Sequence, residues 1–127
     1  MIIGIGNDIV QVSRIKRVIE RNSGDKFIGK VFTESEIAYC KRMSNPYPHF
    51  AVRWALKEAF YKALPEDLQS ISFWKSVELV RVAGKRPELK IIDSKLSDRF
   101  SSEGIVISSS VSHEKEYATA VVTLEKR

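Results

Sequence analysis

Phe50-Ala51-Val52-Arg53-Trp54-Ala55-Leu56-Lys57-Glu58-Ala59-Phe60-Tyr61-Lys62-Ala63 is the stretch on which the fold turns. At about 100° per residue, Val52, Leu56, Ala59 and Ala63 fall on one stripe, which predicts a helix with a buried face. The helix is expected from about His49 to Leu64, where Pro65 stops it. Glu58 and Lys62 lie one turn apart on one flank, between the core stripe and an exposed Lys57. Taken alone, an i,i+4 pair of this kind belongs to a solvated helix and contributes about 0.2–0.5 kcal/mol.

Upstream, Ile2 to Val10 reads as a strand in which Gly4, Gly6 and Asp8 share one face under period-two alternation. Two glycines beside an acid let another backbone come close to that acid. Ser13 is the expected N-cap of a helix running to about Arg21. Its apolar stripe is Ile15, Val18 and Ile19, and Arg14, Arg17 and Arg21 share another face. Ser23-Gly24-Asp25 reads as a loop. Thr33-Glu34-Ser35-Glu36 has the form of a capping box opening a helix with Ile37, Cys40 and Met43. Ser44-Asn45-Pro46-Tyr47-Pro48 breaks that helix.

After Pro65 the pattern turns to β. Ile71 to Val82 is rich in β-branched and aromatic residues, and Gly84-Lys85-Arg86-Pro87 turns the chain into Glu88 to Ile92. A short polar helix from Ser94 to Ser101 leads to Gly104. Two strands follow, Ile105 to His113 and Tyr117 to Glu125, joined by Glu114-Lys115-Glu116. No repeat, low-complexity tract or interdomain linker interrupts the chain. The expected fold is α+β: a single domain over residues 1–127, with an N-terminal strand and helices packed on a mostly antiparallel sheet.

With 127 residues, 43% hydrophobic and 29% charged, the composition is globular and suits one domain. The single cysteine, Cys40, allows no intramolecular disulfide and offers no zinc pair. Asp8 cuts the apolar N-terminus short of a signal-peptide core or a membrane span, so the expectation is a cytoplasmic protein with no membrane partner. A net charge of +5 and a pI of about 9.4 point to anionic partners. Nucleic acid, a phosphorylated cofactor and an acidic protein all satisfy that condition.

Magnesium takes hard oxygen ligands, commonly one or two carboxylates with water and substrate phosphate completing the shell. Asp8 at a strand end and Glu58 on a helix flank supply two carboxylates if the helix crosses the strand, and Lys62 then meets the same phosphate as a point charge. Spacing alone does not bring the two acids together. Ser108-Ser109-Ser110-Val111-Ser112-His113 reads equally as an edge strand with polar residues facing water. A serine–histidine hydrolase would need a nucleophile elbow and a paired acid, which are not seen. The basic turn at Lys85 is too short for a P-loop and opens no helix.

Taken together, these segments resemble the holo-acyl-carrier-protein synthase family of 4′-phosphopantetheinyl transferases. The resemblance rests on Ile3-Gly4-Ile5-Gly6-Asn7-Asp8-Ile9-Val10 and on the central stretch with its Trp-x-x-Lys-Glu-Ala-x-x-Lys pattern. Weaker matches follow at Trp74 to Val80, at the basic turn and at Ser110-Val111-Ser112-His113, in the family's order. Two departures stand out. The turn reads Gly-Lys-Arg-Pro where the family has Gly-Lys-Pro, and Ser44-Asn45-Pro46-Tyr47-Pro48 replaces the basic residues usual before the central helix, leaving Lys41 and Arg42 as stand-ins.

The resemblance implies transfer of 4′-phosphopantetheine from coenzyme A to a serine of apo acyl carrier protein, releasing adenosine 3′,5′-bisphosphate and serving fatty-acid biosynthesis. It implies Mg2+ held by Asp8 and Glu58, with Lys62 stabilising the developing charge and Glu58 helping to remove the serine proton. Arg53, Lys62, Lys85, Pro87, Ser112 and His113 are implied in binding coenzyme A. Arg14, Arg17 and Arg21 are implied in docking the acidic carrier. A homotrimer is also implied, with His113 and the basic turn facing Asp8 and Glu58 of a neighbouring subunit. Two rivals remain from the residues themselves: a basic RNA- or DNA-binding domain, and a metal-dependent phosphohydrolase using the same acids.

Overall fold

Strand β1 (Ile2–Gln11) pairs antiparallel with β5 (Tyr117–Lys126), which pairs antiparallel with β4 (Ile105–His113), giving a three-stranded sheet in the order β1-β5-β4. The computed structural model describes residues 1–127. Alternation puts Gly4, Gly6, Asp8 and Val10 on the same face as Ala118, Ala120, Val122 and Leu124. Helix α4 (Tyr47–Ala63) lies across that face. The two glycines permit the close approach expected of them. A Cβ built on Gly4 would collide with the Ala63 carbonyl oxygen, and one on Gly6 with that of Ala59.

This contact sets where α4 sits on the sheet, and with it the position of Glu58. Gly6→Ala is therefore expected to force helix and strand apart. Overpacking a close contact costs about 1–3 kcal/mol, so the melting midpoint should fall and catalysis should fall with it. An unchanged midpoint would show that the contact does not set the helix position.

The remaining elements cover the flanks and ends of α4. Helix α1 (Val12–Glu20) is followed by α2 (Gly24–Val31), and α3 (Glu34–Lys41) opens on the expected capping box, with Thr33 Oγ1 accepting from Glu36 N at 3.3 Å and Glu36 Oε1 accepting from Thr33 N at 3.0 Å. After α4 come the one-turn helix α5 (Glu66–Gln69), a 3₁₀ turn at Trp74–Ser76, and the hairpin of β2 (Val77–Val80) and β3 (Glu88–Ile91), which forms a second sheet of its own. Helix α6 (Ser94–Glu103) is capped by Asp93, whose Oδ2 accepts from Leu96 N at 3.0 Å, and ends at Gly104 with φ 65°. Phe32, Phe50, Leu56, Phe60, Leu96 and Leu124 are among the side chains of a single buried cluster. No helix is long and apolar enough to cross a membrane.

Several sequence expectations need correction. Helix α1 starts at Val12 behind Gln11, so Ser13 is not its cap. It ends at Glu20, and Arg21 is extended (φ −70°, ψ 164°), so only Arg14 and Arg17 share a helical face. The stretch read as a loop from Ser23 opens α2, which buries Ile28 and Val31; two glycines in eight residues hide its periodicity. The break expected at Ser44–Pro48 separates α3 from α4, but α4 starts at Tyr47, so Pro46 is its N-cap and Pro48 lies in its first turn. The first-turn N–H groups have no intrahelical acceptor, so proline is tolerated there. Ile71 to Val82 is a strand only over Val77–Val80, and α3 closes before Met43.

Lys57 is the largest departure, being 3% exposed and not solvent-facing. Its Nζ lies 2.8 Å from Glu36 Oε1 and donates to the carbonyls of Trp74 (3.0 Å) and Val77 (2.7 Å). Glu36 Oε2 accepts from Leu79 N at 3.1 Å. The flank of α4 beyond Glu58 is roofed by α3 and β2, so a lysine there survives only by full pairing.

Candidate active site

Asp8 enters the site from β1, opposite Ala120 in the register, and Lys62 and Glu58 enter from the facing flank of α4. Lys62 Nζ lies 3.1 Å from Asp8 Oδ1 and donates to the Asn7 carbonyl at 3.1 Å. Asp8 and Lys62 are 54 residues apart in the chain, so this contact is made by the helix-on-strand packing that the glycines allow. The Asp8 side chain is 15% exposed and that of Lys62 51%. Burial, and then the charge of Asp8, push the Glu58 carboxyl above its ordinary range, while Lys62 and Arg14 pull it back. The Glu58 carboxyl thus lies in the field of Asp8, with cations at the edge.

No group of three or more His, Cys, Asp or Glu side chains gathers as a metal cluster. The donor set is the two carboxylates, Asp8 and Glu58. Two hard oxygen donors that repel each other beside open space fit a divalent cation that takes its other ligands from water and phosphate. They do not fit a closed structural zinc site, which needs four protein ligands.

A cleft of about 570 Å³ opens at Asp8 and Lys62 and is walled by Asn7, Ser110, Ser112 and Thr119, while Glu58 is not in its wall. Ser112 pairs with Thr119 and points to the sheet face opposite the Asp8 side chain, so one chain does not bring the two side chains together. On the other side of Glu58 a largely apolar cavity of about 380 Å³ is walled by Phe60, Tyr61, Phe73, Trp74 and Val77. Trp74 stacks on Trp54 at 4.6 Å and 21°. Sequence reading gave no sign of this cavity, whose wall comes from the 3₁₀ turn and not from a strand.

The other expected residues sit elsewhere. His113 lies 5.6 Å from the ring of His49, near the start of α4. His49 and Glu58 are about 13 Å apart along the helix axis at 1.5 Å per residue, so His113 and Glu58 of one chain do not converge. Arg53 is 2% exposed, with its guanidinium 4.4 Å over the Tyr39 ring. Arg42 stands over the same ring at 5.6 Å, whereas Lys41 joins none of these cavities. In the basic turn, Gly84 has φ 78° and Lys85 N donates to the Val82 carbonyl at 3.0 Å. Pro87 walls a cavity of about 420 Å³ with Arg81, Arg86, Ser109 and Ser110, and Lys85 does not. Arg14 and Arg17 are exposed on α1, and Arg14 is close enough to act on Glu58. Arg81 walls that last cavity and His49 faces His113, and nothing in their local sequence pattern marks either position.

Residues 4–122 match the sequence model of the 4′-phosphopantetheinyl transferase superfamily. A holo-[acyl-carrier-protein] synthase of Thermus thermophilus is 40% identical over 127 residues, covering 100% of this chain and 96% of its own. One of Thermodesulfovibrio yellowstonii is 44% identical over 124 residues, covering 98% of this chain and 99% of its own. Among solved structures, a holo-[acyl-carrier-protein] synthase of Neisseria meningitidis superposes with a TM-score of 0.83 at 30% identity, over 99% of this chain and 100% of that one. One from Bacillus anthracis, in complex with CoA (3′,5′-ADP), gives 0.79 at 29% identity, over 100% and 99%.

Proposed function

This chain belongs to the 4′-phosphopantetheinyl transferase superfamily, and from that premise we propose a reading of its site residue by residue. The chain is a single transferase domain that moves 4′-phosphopantetheine from coenzyme A to a serine hydroxyl of apo acyl carrier protein. The serine oxygen bonds to the phosphorus that carries pantetheine, the bond from that phosphorus to the adenosine-side phosphate breaks, and adenosine 3′,5′-bisphosphate leaves. The observation that carries this is the approach of Asp8 on β1 to Lys62 and Glu58 on α4, with Lys62 Nζ 3.1 Å from Asp8 Oδ1 and the Glu58 carboxyl in the field of both.

Asp8 and Glu58 hold magnesium, which when bound offsets charge on the pyrophosphate. Lys62 has an exposed ammonium at the edge of the cleft and stabilises charge on the departing phosphate. Glu58, with its carboxyl raised by burial and by Asp8, is the group suited to help take the serine proton. Arg53, Lys85, Pro87, Ser112 and His113 bind the nucleotide end of coenzyme A.

The enzyme works as a cytoplasmic homotrimer with sites between subunits. Two observations support the assembly between subunits. Ile5, Ile9, Val106 and Val121 are exposed on the sheet face turned away from α4. His113 also lies too far along α4 to serve its own Glu58.

The carrier docks on Arg14, Arg17 and Arg21, and Arg14 joins that surface to Glu58. Charge reversal of Arg14 and Arg17 is expected to raise the apparent KM for the carrier several-fold while leaving that for coenzyme A nearly unchanged; equal effects on both would count against the docking surface.

The reading is tested by measuring adenosine 3′,5′-bisphosphate released from coenzyme A with and without apo carrier. Release only with carrier is the expected result. Equal release without it would replace the transferase by a hydrolase. Salt-dependent retention of unrelated oligonucleotides, with no reaction of coenzyme A, would favour nucleic-acid binding instead.

A further inference from the structure

Lys57 puts an ammonium where packing alone asks for none. Its side chain and that of Glu36 are both fully buried. Apolar residues of similar volume often serve stability as well as a buried ion pair does, so the pair calls for a geometric reason. Its contacts supply one. The three N–H donors of the ammonium meet three acceptors: Glu36 Oε1 at 2.8 Å, the Trp74 carbonyl at 3.0 Å and the Val77 carbonyl at 2.7 Å. Glu36 is itself fixed, accepting from Thr33 N at 3.0 Å and from Leu79 N at 3.1 Å. One node thus ties the start of α3, the turn at Trp74–Ser76 and β2 to α4, at the residue next to Glu58.

The turn held in this way is one wall of the apolar cavity beside Glu58. Glu58 and Tyr61 line that space of about 380 Å³ from α4, and Phe73, Trp74 and Val77 line it from the turn and the start of β2. Its width is therefore the separation of turn and helix. Apolar packing tolerates small shifts, whereas a fully satisfied polar network fixes one arrangement. The two bonds from Lys57 to the carbonyls are the directional contacts across this junction. The indoles of Trp54 on α4 and Trp74 on the turn stack across it at 4.6 Å.

We propose that Lys57, held by Glu36, is a positioning residue for the transfer: it sets the width of the cavity beside Glu58 and so orients the uncharged part of a reactant lying there. The inference rests on the transferase reading, in which Glu58 stands at the reacting phosphate. All three donors of the ammonium are taken up by the protein, so Lys57 acts through the wall and not by touching a reactant. A reactant free to shift in a wider cavity meets the reacting groups less often in line, which lowers kcat.

Transfer kinetics, urea unfolding and circular dichroism of the full chain separate positioning from mere support. Glu36→Gln combined with Lys57→Met removes both buried charges, so the double variant should regain most of the urea midpoint that Lys57→Met loses. Methionine cannot donate to the two carbonyls, so its kcat should stay about tenfold or more below that of the wild type. The exciton couplet of Trp54 and Trp74, the chain's two tryptophans, should weaken with it. Phe73→Ala, at an exposed position, opens the same wall without touching the pair. It should lower kcat several-fold at an unchanged midpoint, and it tests the wall even where the double variant does not fold. Wild-type kcat in Phe73→Ala, or wild-type kcat or an undiminished couplet in the refolded double variant, would overturn the proposal. If the wild type transfers and these variants match it, this proposal alone fails. If the wild type leaves the carrier's mass unchanged, the transferase reading fails and this proposal with it.

Discussion

Glu58→Gln is expected to lower phosphopantetheine transfer by about 10³-fold or more, while the metal-free protein unfolds at a slightly higher temperature. The amide keeps the shape of the side chain but removes the anionic oxygen proposed to hold the metal and to accept the proton. The opposite sign for stability follows from the environment of Glu58. Its carboxyl is raised above the ordinary value of 4.5 by burial and by Asp8. Between 4.5 and that raised value the folded state holds more protons than the unfolded chain, so stability falls as pH rises through this window and stays lower at neutral pH. A neutral side chain at position 58 relieves that penalty. Transfer should be read by carrier mass and stability by thermal unfolding without metal. Full activity in the variant would refute the role given to Glu58, and a lower midpoint would refute its crowding by Asp8.

Lys57→Met is expected to cost about 3–5 kcal/mol of stability, because it leaves Glu36 as a buried charge without its cation. Burial lowers the proton affinity of the Lys57 ammonium and Glu36 opposes the shift. Losing Lys57 also removes the donor to the Trp74 and Val77 carbonyls, which belong to the wall beside Glu58. Lys62→Met, five positions further along the same helix, is the natural comparison. Its partner is a surface contact with a 51% exposed ammonium, so it should change stability by less than about 1 kcal/mol. Activity should divide the other way: Lys62→Met should reduce kcat strongly at unchanged stability. Urea unfolding of the two variants settles the contrast, and a loss below about 1 kcal/mol in Lys57→Met would show that the buried pair is not needed.

Much of the frame is legible in the sequence because it depends on local rules. Period two in the first strand places Gly4, Gly6 and Asp8 on one face, and period 3.6 in the central stretch buries Val52, Leu56, Ala59 and Ala63. The capping box at Thr33 and the paired C-terminal strands are local signals of the same kind. What escaped depends on tertiary cover. Lys57 looks solvent-facing until α3 and β2 roof its flank. The break before the central helix is where the prolines mark it, but Pro48 itself belongs to the first turn of α4. Ile71 to Val82 has strand composition, yet the turn at Trp74–Ser76 uses part of it to wall a cavity.

The site divides in the same way. Asp8, Glu58 and Lys62 are recognisable as residue types, but only the packing of α4 on β1 brings them together. Arg53 is legible as part of a motif, though its burial against Tyr39 is not. His49 and Arg81 carry no signal at all, since their neighbours come from α3, β4 and the end of β2.

The central claim is that Asp8 and Glu58 serve a magnesium-dependent transfer from coenzyme A to a carrier serine. It is tested most directly by the intact mass of apo acyl carrier protein after incubation with the enzyme and coenzyme A. Parallel reactions would include magnesium, replace it with chelator, or use Asp8→Asn. The account predicts a phosphopantetheine-sized gain with wild-type enzyme and magnesium only. No gain under that condition, or the same gain with chelator or with Asp8→Asn, would contradict it.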